Sequence, residues 1–440
     1  MRLLSTNHRS PIVGFREALR QGLAPDGGLY LPIELPRVAP EELAAWRGLP
    51  FDTLAVRLAG RLLQDEFPED VLGRLVADAL DFPVPTVPRD DGLFVLELFH
   101  GPTLAFKDFG ARFLARLFGS LLAERDDHAM ILVATSGDTG SAVARGFAGV
   151  PGIRVVVLYP AGRVSPFQEA QMATIGGNVT AVRVPGVFDD CQRLVKAAFL
   201  DPELAHLRLS SANSINIGRL IPQMFYYFSG YLAAAPRPGD PVVFSVPSGN
   251  LGNLTAGVLA SRMGLPVSRF IAATNVNDVL PEFLATGVFR ARPSVATLSN
   301  AMDVGDPSNF ARLAALYEGS AERMCAAIRG ERVTESETRA AIRHAHAQRG
   351  TILDPHAAVA YAAARRYRGE PGSTAPVVVL ATAHPAKFAA AIFEELGIEP
   401  DLPAADRDWR TRPLRAIDLP NTDAAVFRDF LCNLPETPPV

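Results

Sequence analysis

Four segments of the chain share one pattern of hydrophobic and polar positions. In each, a run of apolar residues is followed by a polar loop and then by a stretch with helical spacing of its apolar positions. The apolar runs are 129–134, 155–159, 241–246 and 375–380, and the loops that follow them are 135–140, 160–164, 247–252 and 381–385. Continuously apolar strands that alternate with helices indicate parallel sheets covered on both faces. The pattern predicts an α/β fold with ligands bound at the loops, which follow the carboxyl ends of the strands.

Breaks in this pattern divide the chain into four predicted units. The first 90 or so residues contain helical patches and Pro-rich turns without a strand–loop–helix unit, which indicates a cap packed on the rest. A Pro/Gly-rich stretch at 233–239 separates two α/β domains. The predicted units are an N-terminal cap at 1–90, α/β domains at 91–235 and 236–400, the second with a helical insertion, and a C-terminal tail at 401–440.

Composition and charge argue against several classes of function. The 440 residues are 48% hydrophobic and 20% charged with a net charge of −4, and no basic patch favours nucleic-acid binding. No signal peptide is recognisable, and no apolar run reaches the roughly 18 residues of a membrane span. Cys191, Cys325 and Cys432 are too far apart for a disulfide framework or a CxxC metal site. We expect a cytoplasmic protein, a monomer or weak homodimer, that acts on a small molecule without metal, membrane or nucleic-acid partners.

Lysine is scarce in this chain, which has only Lys107, Lys196 and Lys387 beside 40 arginines. Arginine supplies positive charge equally well but cannot deprotonate to attack a carbonyl. A lysine in such a background is therefore a candidate for amine chemistry, of which Schiff-base formation is the most direct example. Lys107 follows a Gly-Pro turn and precedes an amphipathic run. This places it near a helix start, where the helix dipole favours a neutral amine.

Three loops have the composition of anion-binding sites. Residues 248–253, Ser-Gly-Asn-Leu-Gly-Asn, follow a strand and open a helix, so their backbone N–H groups can cradle a phosphate. Residues 135–140 are dense in hydroxyls at a second helix start, and 213–219 add two amides, a hydroxyl and Arg219, which suits a phosphate or carboxylate. A phosphate cradle for a cofactor, a second anion site for a substrate and an amine between them point to pyridoxal phosphate (PLP).

Several segments resemble those of threonine synthases, PLP-dependent enzymes of fold type II, in the longer microbial and fungal form. They are 22–31, 100–109, 298–303 and 381–387. Segment 100–109, His-Gly-Pro-Thr-Leu-Ala-Phe-Lys-Asp-Phe, is similar to the family's PLP-lysine motif, and its combination with Ser-Gly-Asp-Thr-Gly at 136–140 is highly specific. The resemblance runs over nearly the whole chain. It implies two parallel-sheet α/β domains, like those of the tryptophan synthase β subunit, with an N-terminal cap.

The resemblance also implies a role for each matching residue. Lys107 is the Schiff-base lysine and moves protons on the substrate, and Thr382 offers its hydroxyl to the pyridine nitrogen. Asp138 occupies a position where shorter family members carry an asparagine that contacts the phenolic oxygen of the cofactor. The cofactor phosphate is held by Gly249, Asn250, Leu251, Gly252 and Asn253. The substrate carboxylate and phosphate are bound by Thr135, Ser136, Thr139, Asn213, Ser214, Asn216 and Arg219.

Four residues near these motifs need a separate interpretation. An aspartate at position 138 would repel the phenolate unless one of the two is protonated or the side chain turns away. Asp354 followed by Pro and His356 is typical of a helix N-cap with Pro at the first helical position. His384 precedes a proline that starts a helix. We interpret Asp354, His356 and His384 as structural.

The activity implied by the resemblance is the conversion of O-phospho-L-homoserine and water to L-threonine and phosphate, a PLP-dependent lyase reaction of threonine biosynthesis. Phosphate leaves the γ-carbon and water adds at the β-carbon. The same motifs fit a PLP-dependent phospho-lyase that releases a 2-oxo acid and ammonia. A third alternative is a non-catalytic module that binds PLP or phosphate, although such a module could use arginine in place of Lys107.

Overall fold

The structure, a computed structural model, describes residues 1–89 and 92–434. The strands are β1 Arg2–Ser5, β2 Val13–Gly14, β3 Tyr30–Pro32, β4 Thr86–Pro88, β5 Leu93–Glu97, β6 Ala129–Ala134, β7 Ile153–Pro160, β8 Val179–Val184, β9 Leu209–Ser211, β10 Val242–Pro247, β11 Val267–Thr274, β12 Ile328–Arg332, β13 Val377–Ala381 and β14 Ala416–Asp418. The α-helices are α1 Phe15–Gln21, α2 Pro40–Trp46, α3 Phe51–Leu63, α4 Glu69–Ala79, α5 Lys107–Ala123, α6 Asp138–Phe147, α7 Pro166–Ala173, α8 Phe188–Leu200, α9 Ile221–Ala234, α10 Gly252–Arg262, α11 Val279–Thr286, α12 Phe310–Leu316, α13 Ala321–Ala327, α14 Glu335–Arg349, α15 Pro355–Arg368, α16 Ala389–Leu396 and α17 Ala424–Cys432. The predicted boundary at residues 90 and 91 and the last six residues of the predicted tail lie outside the described residues.

A six-stranded sheet has the order β12, β11, β10, β13, β5, β4. Neighbouring strands of this sheet are parallel, except that β4 and β5 are antiparallel. Successive residues of β13 face opposite layers, since Val378 and Leu380 pack in the core that holds α9 and α10, whereas Val377 and Val379 pack in the core under α15. This two-sided burial explains why the strand is apolar at every position.

A second, five-stranded sheet has the order β14, β8, β7, β6, β9 and is parallel throughout. All six residues of β6 are buried, and α6 and α8 both pack against this sheet. The predicted α/β class with parallel sheets is therefore confirmed.

The two sheets divide the chain differently from the predicted units. Strand β5 lies in the predicted first domain but pairs with β13, and β14 lies in the predicted tail but completes the second sheet beside β8. Strand β12, in the predicted helical insertion, pairs with β11. A local apolar run predicts that a strand exists but does not indicate which strand it pairs with. The sheet to which each strand belongs could therefore not be predicted from the runs alone.

The first 80 residues form a small antiparallel sheet, β2–β1–β3, with helices α1 to α4. Helix α3 packs against α9 and helix α4 against α5. The guanidinium of Arg312, fully buried, donates from Nε to the Tyr30 carbonyl (2.9 Å) and from Nη1 to the Ser214 carbonyl (3.0 Å). Arg312 therefore ties this N-terminal part to the loop at 213–219.

The predicted structural roles near α15 agree with the contacts there. The Asp354 carboxylate accepts hydrogen bonds from the His356 and Ala357 N–H groups at the helix start, as expected of an N-cap. The ring of His356 bridges Asp354 Oδ1 (2.7 Å) and the Ala301 N–H (3.2 Å). His384 accepts a hydrogen bond from the Ala386 N–H, which caps the 3₁₀-helix at Pro385–Phe388.

Candidate active site

Lys107 is the first residue of α5, directly after the loop that leaves β5. Asp108 fixes this loop, because its carboxylate accepts hydrogen bonds from the N–H and the hydroxyl of Thr103, at 2.8 and 2.7 Å. The Phe106 N–H donates to the carbonyl of Thr382 (2.9 Å), so the lysine stands beside the loop that follows β13. The side chain of Lys107 is 16% exposed. Its amine is therefore sheltered but reachable.

Asp138, the first residue of α6, connects Lys107 to a second lysine. Asp138 Oδ2 lies 3.7 Å from Lys107 Nζ, and Asp138 Oδ1 lies 2.8 Å from Lys387 Nζ. The amide of Gln168 also donates to Oδ1 (2.9 Å), and Lys387 Nζ donates to the carbonyl of Thr103 (2.8 Å). The carboxylate of Asp138 is thus shared between the two lysines and one amide.

Burial and two nearby cations favour the neutral form of Lys107, against the effect of Asp138. Burial lowers the pKa of Lys107; Asp138 raises it, whereas Lys387 and Arg219 lower it further. Burial would raise the pKa of Asp138, but the charges of Lys387 and Lys107 outweigh burial and hold that pKa well below its usual range. Asp138 is therefore ionised, and the nearby Lys387 compensates its charge.

The hydroxyl-rich loop at 135–140 contains residues of two kinds. The buried Thr135 hydroxyl accepts hydrogen bonds from the N–H groups of Gly137 (3.0 Å) and Gly140 (2.8 Å), so it holds the loop in shape. Ser136 is exposed and Thr139 is half-buried, so both are accessible to a ligand. Gly137 has φ of +138°, and a Cβ there would lie 2.5 Å from the Gln168 side chain, so only glycine fits.

The segment 213–219 supplies polar groups whose partners differ. The Ser214 hydroxyl accepts hydrogen bonds from the amides of Asn250 (3.0 Å) and Asn309 (3.3 Å), which leaves its own proton to donate. Arg219 is buried and donates through Nη1 to the Ala212 carbonyl, while its Nε has no hydrogen-bond partner within the described ranges. Burial lowers the pKa of Arg219 to about 10, so the guanidinium stays charged at neutral pH.

Asn216 differs from its neighbours, and its contacts correct the sequence prediction. Its amide nitrogen donates to the Leu19 carbonyl (2.8 Å), and its amide oxygen accepts from the Gly218 N–H (3.0 Å). The side chain is fully buried. Because both ends of the amide bind backbone, Asn216 shapes the segment and we no longer count it among the substrate ligands.

The loop at 248–253 ends where α10 begins. Leu251 holds a left-handed conformation, with φ of +61°, an arrangement that costs a non-glycine residue about 1–2 kcal/mol. The side-chain oxygen of Asn253 accepts hydrogen bonds from the hydroxyls of Tyr226 (2.7 Å) and Tyr227 (2.8 Å), but its buried Nδ2 has no partner among the residues described. A strained turn, an unpaired donor and a helix start together suit a bound anion.

Comparison with known proteins identifies the family to which these features belong. A family model described as pyridoxal-phosphate dependent enzyme matches residues 83–383. Models of the threonine synthase N terminus and of the threonine synthase C-terminal part match residues 2–80 and 357–431. The chain is 43% identical over 438 residues to the threonine synthase of Serratia marcescens, an alignment that covers 99% of this chain and all of that relative.

The chain belongs to the threonine synthase family.

Solved structures of the family agree with this assignment. A PLP-bound threonine synthase from Brucella melitensis matches with a TM-score of 0.93 and 39% identity over 98% of both chains. The threonine synthase of Escherichia coli matches with a TM-score of 0.90 and 42% identity over 98% of this chain and 100% of the other. The predicted resemblance is confirmed, and the protein is a lyase that uses pyridoxal phosphate.

The residues present fit this cofactor. Lys107 offers a sheltered amine whose pKa is lowered by burial. The α10 start and the unpaired Nδ2 of Asn253 offer donors for a phosphate. A Cβ at Gly249 would lie 2.8 Å from the Ala301 carbonyl oxygen and from Met302 Cα, so this glycine is required by the neighbouring backbone rather than by the phosphate itself.

Several residues of the site had no role assigned from the sequence. Lys387 lies in segment 381–387, which resembles the family, and the scarcity of lysine in this chain was the signal that could have identified it beside Lys107. Gln168, Asn309 and Arg312 had no such signal, because their partners are brought to them by the fold. Across residues 1–89 and 92–434, no group of three or more His, Cys, Asp or Glu side chains could hold a metal ion. Over those same ranges no helix has the length and apolar character needed to cross a membrane.

Proposed function

We propose that the chain converts O-phospho-L-homoserine and water to L-threonine and inorganic phosphate. The observation that supports the proposal is a second set of anion-binding groups, Arg219 and Ser214, which adjoins the cradle at 249–253 through the hydrogen bond between Asn250 and Ser214. A Cβ on Gly110, one turn after Lys107 in α5, would lie 2.6 Å from Arg219 Nε, and this Nε has no hydrogen-bond partner in the described part of the chain. A substrate that carries its own phosphate needs such a second set.

Each set of residues has a distinct task in this proposal. Arg219 and Ser214 bind the substrate phosphate, the first through a charged donor and the second through the hydroxyl proton that its two amide neighbours leave free. Asn213, the neighbour of Ser214 in the chain, assists them in this proposal. Thr135, Ser136 and Thr139 bind the carboxylate in this proposal, and Thr135 also holds the loop in shape.

Lys107 binds the cofactor and, once released by the substrate, carries protons at the substrate's α-, β- and γ-carbons. When bound, PLP supplies the electron sink for the negative charge that these proton transfers create. The hydroxyl of Thr382 faces the pyridine nitrogen in this proposal, and Asp138 lies on the side of the phenolic oxygen. The cytoplasmic location and the monomeric or weakly dimeric state stay predictions.

Product analysis of the PLP-loaded protein given O-phospho-L-homoserine tests the proposal. We expect threonine and phosphate in equal amounts. Phosphate accompanied by 2-oxobutyrate and ammonia would instead favour the phospho-lyase alternative. An Arg219→Lys variant, which keeps the charge but loses the planar fork, should raise the KM for the substrate while PLP affinity stays unchanged. An equal loss of both would move Arg219 to the cofactor.

A further inference from the structure

Two of the three lysines in the chain meet on one carboxylate. Lys387 Nζ lies 2.8 Å from Asp138 Oδ1, and Lys107 Nζ lies 3.7 Å from Asp138 Oδ2. The side chain of Lys387 is fully buried. A buried ammonium is costly unless it is paired and hydrogen-bonded, and Lys387 meets this condition by pairing with Asp138, beside the reactive amine.

Lys387 reaches this position from a distant part of the fold. It lies in the 3₁₀-helix Pro385–Phe388, which follows β13 of the six-stranded sheet. Asp138 is the first residue of α6, which packs against the five-stranded sheet. Besides Asp138, its ammonium binds the carbonyl of Thr103 (2.8 Å), in the loop that precedes Lys107. Lys387 therefore connects the loop that precedes Lys107 to the start of α6, where Asp138 lies.

The charges that act on the Lys107 amine are those of Asp138, Lys387 and Arg219. Asp138 favours the ammonium form of Lys107, whereas Lys387 and Arg219 favour the free amine. Without Lys387, Lys107 would be the only cation paired with Asp138 among the residues that the structure describes, and the two would form a closed ion pair. An amine held in such a pair has no lone electron pair with which to attack a carbonyl.

We propose that Lys387 is a positioning residue that neutralises Asp138 and so keeps Lys107 available as a free amine for joining the cofactor aldehyde. In that step the Lys107 nitrogen bonds to the aldehyde carbon, and its two hydrogens leave with the aldehyde oxygen as water. The inference rests on the role given to Lys107 in the proposed function. It explains how an aspartate is accommodated at a position where shorter family members carry asparagine.

The test follows PLP uptake by the apoprotein, measured by absorbance as a function of pH. Lys387→Met should move the midpoint of the rate–pH profile up by about one unit, because it leaves the charge of Asp138, 3.7 Å from Lys107 Nζ, uncompensated. An opposite charge at such a distance shifts a pKa by about 1–3 units. At a fixed pH below both midpoints, uptake should slow about tenfold. Asp138→Asn should move the midpoint down, and the double variant should return it close to the wild-type value. Titration of free PLP is common to all variants and cancels in the comparison.

Opposite shifts for the two single variants separate a charge effect from a structural one. If Lys387→Met and Asp138→Asn shift the midpoint in the same direction, or if neither shifts it, the proposal is wrong. Lys387→Arg keeps the charge and should keep the wild-type midpoint even if uptake is slower. If Lys387→Met fails to fold, the comparison is made between Asp138→Asn and the double variant. The double variant lacks the unpaired ammonium of Lys387, so its midpoint must be higher than that of Asp138→Asn. Uptake requires no amino-acid substrate, so release of 2-oxobutyrate in place of threonine would refute the proposed function and leave this result standing.

Discussion

Gly110, one turn after Lys107 in α5, controls the position of Arg219. A Cβ on Gly110 would lie 2.6 Å from Arg219 Nε and 2.9 Å from the Arg219 carbonyl oxygen. To reach the 3.4 Å at which ordinary contacts begin, Nε must move by about 0.8 Å. A misplacement of about 1 Å at a reacting site can cost roughly a hundredfold in rate. Gly110→Ala should therefore lower kcat/KM for O-phospho-L-homoserine between about tenfold and a hundredfold, or about 1.4–2.7 kcal/mol.

The assay compares steady-state kinetics, PLP affinity and stability of Gly110→Ala with those of Gly60→Ala. Gly60 is a helical glycine in α3 with nothing within 4 Å of a Cβ, so its replacement should leave activity unchanged. Overpacking at Gly110 costs about 1–3 kcal/mol, partly offset by the gain in helix propensity of about 0.5–1 kcal/mol. A folded Gly110→Ala protein with wild-type kcat/KM would refute the role of Arg219. Equal losses of PLP affinity and substrate turnover would show that the displaced group serves the cofactor.

Three further outcomes are expected. Lys107→Ala should lower turnover by several orders of magnitude and abolish the absorbance of covalently bound PLP. The same change at the exposed Lys196 should alter neither, and residual turnover of Lys107→Ala would contradict the assignment. Gly249→Ala should weaken PLP binding at least about tenfold, measured by equilibrium dialysis, because its methyl would meet the backbone at Met302. Asp138→Asn should destabilise the apoprotein by about 3–5 kcal/mol near neutral pH, since it leaves Lys387 buried and unpaired. Because the pKa of Asp138 is lowered on folding, this difference should shrink as the pH falls below about 4, and a pH-independent difference in urea unfolding would count against the ion pair.

Much of the fold could be predicted from the sequence because parallel strands buried on both faces are apolar at every position. The runs at 129–134 and 241–246 correspond closely to β6 and β10, Ala129–Ala134 and Val242–Pro247. The loops that follow these strands carry the hydroxyls and glycines that the sequence analysis assigns to the candidate site. Local composition was sufficient here, because each prediction concerned residues adjacent along the chain.

The remaining features depend on contacts between distant residues. The pairing of Lys387 with Asp138 decides the charge of the site, yet neither flanking sequence indicates the other. Asn216 has the composition of a ligand but binds the Leu19 carbonyl and the Gly218 N–H, since the fold places backbone groups at both ends of its amide. At Gly249, the backbone of Ala301 and Met302 leaves no room for a Cβ, a constraint that the residues flanking this glycine do not indicate.

The pairing of β5 with β13 has a consequence for synthesis of the protein. Leu93 pairs with Val377, so a ribosome adds 284 residues (377 less 93) between the two, which takes roughly 15 to 60 seconds at typical elongation rates. During that interval the edge of β5 that pairs with β13 in the folded protein has no partner strand. Such apolar edges are prone to aggregation. Until β13 is synthesised, the emerging chain therefore carries this unpaired edge, and the loop before Lys107 lacks its hydrogen bond to Thr382.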